Sequence, residues 1–435
     1  MRDLLIVGLT VMGCVLALRH AWIGALLWAW LSLMNPHRFA FGLAYDAPLA
    51  AMAAAATMLG LLATRDRHSP FETGPPRVLL VFMIWMTLSW LFGLDPESDY
   101  EQYKKVMKVD VMTLVTLALI SSRLQITTLT WVVTMSLSLL GIKGGVFTIL
   151  TGGNFRVWGP PGTFIADNNE IALALVMTIP LLRFLQQQSR TRLLRGFVGF
   201  AMLMCAAAAL GSYSRGGFLA ISAMGVFLWF RGSNRLRNGI VIGALALGML
   251  AFMPEEWAAR MSTIENYEED RSAMGRISAW WTAFNVARTH LFGIGFELAR
   301  PELFAQYSPY PDMVHAAHSI YFLVLGNHGF VGLFLFLAIF VLCWRQANRI
   351  RRWAKGRPEL QWCHQLASMC QVSLVGYAVG GAFLSLAYFD LPYYVMIIVA
   401  ATHQWVKRQA VQTEAEMVPQ RKWLRQLASW CGMTA

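Results

Sequence analysis

Apolar runs recur near 3–18, 22–34, 44–64, 77–94, 106–121, 126–150, 170–187, 194–212, 216–230, 238–253, 318–344, 364–388 and 391–406, divided by short polar connections. A hydrocarbon core of about 30 Å takes roughly 20 apolar residues in helical form, and a helix is the one segment that satisfies its own backbone polar groups there. The pattern predicts an all-α fold: a polytopic integral membrane bundle of about 12 transmembrane helices. The first two runs are short enough to pack as a pair, and the break at "FDLPYY" need not separate two full spans. Composition agrees, since 57% of the 435 residues are hydrophobic and only 14% are charged, far from an ordinary soluble domain.

Loop charge sets the expected orientation. "TRDRHSPFETGPPR", "QQQSRTRLLR", "RGSNRLRN" and "WRQANRIRRWAKGR" are rich in basic residues and nearly free of acid, which marks cytoplasmic loops. This topology accounts for most of the net charge of +12; the basic residues are not gathered on one polar domain, so no nucleic-acid partner is expected. Four regions are expected: N-terminal membrane helices over 1–253, a periplasmic helical loop over 254–317, C-terminal membrane helices over 318–406 and a cytoplasmic tail over 407–435. The N-terminal stretch has no convincing small-x-small cleavage site and reads as a retained first helix. The six cysteines form no CxxC pair, and neither a disulfide framework nor a zinc site is indicated.

This map leaves Arg156, Arg215, Arg276 and Arg288 on the outward side, with Lys143 near the outer end of its helix. Each such charge is costly unless it is paired or faces a wet cavity, so each is a functional-site hypothesis. The alternative is pairing with Glu255, Glu256, Glu265, Glu268, Glu269 or Asp270. Arg215 stands out because "SYSRGGFLA" sets a guanidinium at a helix start with two glycines beside it; a helix N-terminus and a planar fork of donors both suit phosphate oxygens. Converging arginines at a membrane surface imply a phosphorylated or diphosphate lipid. No Walker A loop or GxGxxG element supports a nucleotide site.

His318 opens the helix that continues "SIYFLVLGNHGFVGLFLFLAIF", three residues after His315. A positive helix end and nearby arginines favour the neutral ring, which can take a proton from a sugar hydroxyl. The alternatives are a local hydrogen bond, or a zinc set of Asp312, His315 and His318 that lacks a fourth ligand. His328 reads as a packing or hydrogen-bonding residue. Asp390, at a helix break, suits orienting a histidine or arginine, or capping a helix. Asp167 and Asn168 in "ADNNE" suit sugar hydroxyls as well as ordinary N-capping.

"SYSRGG", "GRISAWWTAFNVARTHLFGIG" and "HAAHSIYFLVLGNHGFVGL" resemble, in order, the three signature stretches of the O-antigen ligase and polymerase superfamily of bacterial membrane glycosyltransferases. "LSLMNPHR" and "ADNNEIALAL" look like the branch of O-glycosylation ligases associated with exosortase systems, so the resemblance covers almost the whole chain. It implies an inner-membrane enzyme with a periplasmic active site and a cytoplasmic C-terminus that needs no cofactor or metal. The implied donor is an undecaprenyl-diphosphate-linked glycan and the implied acceptor is lipid A-core, with a Ser/Thr protein acceptor as rival. By position, Arg215 and Arg288 would bind the diphosphate, Arg276 would assist, and His318 would be the base; single displacement would invert the anomeric centre. The sequence departs from the pattern at Ser319, where Asn is common, and at Asn327–His328, where an acid often precedes the glycine. A polymerase extending its own carrier-bound glycan, and a lipid flippase or transporter with charges along a transbilayer route, are the remaining alternatives.

Overall fold

The computed structural model describes residues 2–231, 235–262 and 271–409, and no strand occurs among them. α1 (Arg2–Arg19), α2 (Ala21–Met34) and α4 (Leu49–Ala63) pack on one another, with the single turn α3 (Leu43–Asp46) at one end. α5 (Gly74–Leu91), α6 (Pro96–Leu119) and α7 (Arg123–Leu150) follow, then α8 (Asn168–Gln188), α9 (Arg192–Gly211), α10 (Arg215–Arg231) and α11 (Arg235–Phe252). The stretch expected to be the large loop holds α12 (Glu255–Ser262), α13 (Arg271–Thr289) and α14 (Pro301–Tyr307). α15 (Ile320–Trp353), α16 (Gln361–Gly380) and α17 (390–409) complete the described chain. Glu265, Glu268, Glu269, Asp270 and the tail from 410 onward lie outside the described residues.

The protein is an all-α, multi-pass membrane protein. Among the described residues seven helices are both long and apolar enough to cross a membrane, including α5, α7, α8, α9 and α15. The expectation of about twelve is larger for a physical reason. α2 and α4 are apolar but have only 14 and 15 residues, α10 has 17, and α6 carries Lys104, Lys105, Lys108 and Asp110. Such helices cross only with help from neighbours.

Two helices are sheathed by protein rather than by lipid. α8 is buried over nearly its whole length, and α17 is buried from Asp390 through Gln404. Small residues let the helices approach: Gly141, Gly144 and Gly145 of α7 lie against Cys205, Ala208 and the Met204 backbone of α9. Gly376 and Gly380 of α16 face Val176 and Leu173 of α8 and Met224 and Ala220 of α10, the close packing such spacing favours in membranes.

α15 is not one helix. Gly329 has φ 68° and ψ −174°, a conformation that L side chains rarely adopt, and the break frees carbonyls of the preceding turn. Ile294 donates to Asn327 O at 3.1 Å, Gly295 to the same oxygen at 3.1 Å, and Trp85 Nε1 to His328 O at 2.8 Å. The "FGIG" stretch is thus seated in the break, and a Cβ on Gly293 would run into the Asn327 backbone. Asp99 clamps the other side of this loop: it accepts from Phe296 N and from Arg300 Nη2, both at 2.7 Å.

The Asp99 side chain is 1% exposed and that of Arg300 17%, so removing the arginine strands a buried charge. Arg300→Ala should cost about 3 kcal/mol, read as a lower unfolding midpoint in detergent. Lys104→Ala, which breaks a surface pair with Glu101, should change stability by less than about 1 kcal/mol. Equal effects would show that the clamp is not a structural anchor.

Candidate functional site

α8, α10 and α15 all begin at one end of the bundle, and local sequence explains each start. Asp167 caps α8 by accepting from Asn169 N at 2.8 Å. Ser214 Oγ accepts from Gly217 N at 3.0 Å, which places Arg215 in the first turn of α10. Asn168 Nδ2 donates to Ser212 O at 2.6 Å and ties the two starts together. α12 secures the same turn from outside, as Trp257 Nε1 donates to Leu210 O and Arg260 Nε to Tyr213 O. The 3-10 turn Gly381–Phe383 forms a shared floor, Gly381 against Ile320 and Phe383 against Gly216.

His318 sits two residues before α15 with φ 42°, a left-handed backbone unusual for a non-glycine residue and one that tends to accompany functional sites. Trp280 holds the segment in place: its Nε1 donates to Ala317 O at 2.7 Å, and its ring stacks on Phe322 at 5.0 Å. The His315 ring lies 5.1 Å from that of His318, and Gly275 packs directly on His315, which brings Arg276 alongside. Burial lowers the His318 pKa first, Arg276 and His315 lower it further, Asp167 opposes them, and the result is about 4. The ring is therefore neutral at physiological pH.

Asp167 shares a hydrogen bond with Glu170. Burial alone would raise the Asp167 carboxyl, but bonds from Glu170 and Asn169 outweigh it and hold the group below its usual value. Glu170 is buried, and Arg276 is among its charged neighbours. His318 Nδ1, Ser319 Oγ and Glu170 Oε2 are all buried without a hydrogen-bond partner, which leaves polar capacity at one spot for a bound molecule to satisfy. Glu170 was not singled out from sequence, although its three-residue spacing from Asp167 puts both carboxyls on one face of the helix start.

The other expected residues fall elsewhere. Arg288 is exposed in the last turn of α13 with its guanidinium over Phe284 at 5.9 Å. It stands about 18 Å farther along the helix than Arg276. Asp390 orients neither histidine nor arginine of this cluster; it is buried at the start of α17 with Lys105 as a charged neighbour. Lys143 lies over the Phe39 ring at 4.7 Å and Arg156 over the Tyr213 ring at 5.8 Å. His328 is buried, with Nε2 2.7 Å from Tyr388 Oη, and Asn327 donates to Phe296 O. The departures at 327 and 328 thus serve the loop seated in α15. Among the described residues no three His, Cys, Asp or Glu side chains gather as a metal-ligand set.

Residues 1–190 match a family of unknown function (DUF5935), and residues 200–337 match the O-antigen ligase family. No curated protein matches the chain.

Diethyl pyrocarbonate attacks neutral imidazole. Its pH-corrected rate at His318, followed by mass spectrometry, should stay flat from pH 8 to 5 and halve near pH 4. Arg276→Gln removes a positive neighbour and should move that midpoint upward. A midpoint at 6.5 in the unaltered protein would contradict the site's electrostatics.

Proposed function

Because the chain belongs, through residues 200–337, to the O-antigen ligase superfamily, we propose that it is an O-antigen ligase of the bacterial inner membrane. On this proposal it transfers a glycan from undecaprenyl diphosphate to lipid A-core at a periplasmic site. The observation that carries the proposal is the neutral, half-buried His318 set between Arg276 and Asp167 at the end of the bundle where Arg215 begins α10.

The acceptor hydroxyl gives its proton to His318, and its oxygen attacks the anomeric carbon from the side opposite the diphosphate. The glycosyl–oxygen bond to the diphosphate breaks as the new bond forms, so configuration inverts. Arg215 and Arg276 receive the leaving group, whose growing charge suits guanidinium donors. Asp167 stabilises the imidazolium that results. A ring with pKa near 4 is a weak base in the empty site, but the negative diphosphate offsets Arg276 and raises its basicity once the donor has bound. Proton removal is thereby tied to donor occupancy. Arg288 is assigned no contact with the reacting carbon.

A Ser/Thr protein acceptor and a polymerase reaction use the same donor chemistry. Transport would call for charges spread along a route through the bilayer, whereas Arg276, His318, Asp167 and Arg215 gather at one end.

The test supplies full-length protein in nanodiscs with a lipid-linked glycan and offers lipid A-core and a Ser/Thr-rich protein separately. Lipid A-core should be modified, and transfer should survive EDTA. His318→Ala should reduce transfer about 1,000-fold or more, in line with loss of a general base plus its geometry, and Arg215→Lys at least tenfold because a point charge cannot reproduce the fork. Near-normal transfer by His318→Ala would remove the base assignment, and modification of the protein acceptor alone would replace the ligase reading.

A further inference from the structure

A second cationic feature borders the same helix start. A cavity of about 310 Å³ lies between the outer part of α7 and the loop before α8, lined by Phe39, Lys143, Arg156, Trp158 and Ile171 among others. Lys143 and Arg156 are both exposed, and neither makes a hydrogen bond or ion pair with another described residue; their contacts are the faces of Phe39 and Tyr213. Two arginine- and lysine-borne charges held against aromatic rings beside an open cavity leave their donors available to an anion.

The walls are fixed before any ligand arrives. Val157 donates to Gly211 O at 3.0 Å, Gly159 to Ala166 O at 3.0 Å, and Tyr213 Oη to Gly153 O at 2.7 Å. These bonds strap the loop onto the turn that precedes Arg215. A Cβ at Gly144 would stand 2.8 Å from Val157 Cγ1, so α7 and the loop are in direct contact beneath the cavity. Ile171 lines it from the helix turn that follows Asp167, which makes it adjacent to the His318 cluster rather than remote from it.

The surroundings say what kind of anion fits. Leu150 is 81% exposed, Phe155 61% and Trp158 59%; at the end of a membrane helix such side chains sit at head-group level. Lys143 is two turns inside the end of α7, about 10 Å below Leu150 along the axis. A bare indole beside two cations offers an apolar face for a sugar ring and donors for its phosphate. A soluble nucleotide or free phosphate would have no use for the greasy rim.

We propose that this cavity holds the phosphate-bearing saccharide head group of the acceptor lipid, anchoring it while its distal sugar reaches His318. The inference rests on the ligase reading and sharpens it, since a Ser/Thr protein acceptor brings no phosphate.

The test titrates fluorescent lipid A, a diphosphorylated saccharide lipid, into the full-length protein in detergent. It compares the unaltered chain with the double variant Lys143→Gln/Arg156→Gln. Both positions are exposed, and an unchanged unfolding midpoint in detergent serves as the check on folding. Binding should weaken at least tenfold in the double variant and on removing the phosphates from the lipid, and a matched excess of phosphatidylglycerol should not displace it. Undiminished binding by the double variant, indifference to the phosphates, or displacement by phosphatidylglycerol, which would mark a bulk anionic-lipid surface, would each overturn the proposal. If lipid A binds as expected while no glycan is transferred to it, the cavity assignment stands and the ligase reading falls.

Discussion

The break in α15 at Gly329 is the constraint from which the site end of the molecule is built. An unbroken α-helix would spend the carbonyls of Asn327 and His328 on its own ladder. Broken at a left-handed glycine, it offers them to Ile294, Gly295 and Trp85, and the loop after α13 seats itself there. That loop fixes where α13 ends. Since Gly275, Trp280 and Ala283 pack in turn on His315, Ala317–Phe322 and Gly326, fixing one end of α13 places Arg276 beside His318 at the other. A single backbone conformation deep in the helix therefore bears on the electrostatics of a ring eleven residues away in sequence.

Those electrostatics are unusual in one respect. The groups nearest His318 do not prepare a strong base in the resting protein; burial and Arg276 hold the ring neutral and weak. On the proposed function the compensating charge is brought by the bound donor. On that function the Asp167–Glu170 pair has a matching part, because a carboxyl that shares its hydrogen bond with a neighbour raises the pKa of the ring less than a bare carboxylate would.

The sequence was most legible where a physical periodicity is long and repeated. The apolar runs located the helices, and the alternation of their ends agrees with the basic loops, for Gln188 of α8 meets Gln365 of α16 and Arg231 of α10 meets Gln371 at the end opposite His318. Glycines at Gly376 and Gly380 read correctly as packing surfaces. Tertiary placement was far less legible. Arg276 and Arg288 stand on one helix at opposite ends, and a shared location outside the membrane could not say which of the two would face His318. Asp390 looked like an outer-mouth acid, yet the first turn of α17 runs inside the protein and buries it, with Lys105 a charged neighbour. Asp99 and Arg300 are 201 residues apart, and nothing local to either announces the other.

On the proposed function the loop between α7 and α8 belongs to both halves of the chemistry. Its backbone is bonded to Gly211 and Tyr213, just ahead of the Arg215 helix start, while its Arg156 and Trp158 face the cavity and its end supplies Asp167 to His318. This loop falls within the match to the family of unknown function, and Arg215, Arg276 and His318 fall within the match to the ligase family. On the proposed function the division has a physical meaning. Donor chemistry and proton transfer rest on the second region, and recognition of whatever receives the glycan rests on the first. Residues that merely packed around a common catalytic core would not need two outward cations and a bare indole held rigid beside it. Their rigidity lowers the ordering cost of binding a flexible lipid-anchored saccharide, and that is the use a fixed wall has at the edge of an otherwise mobile interface.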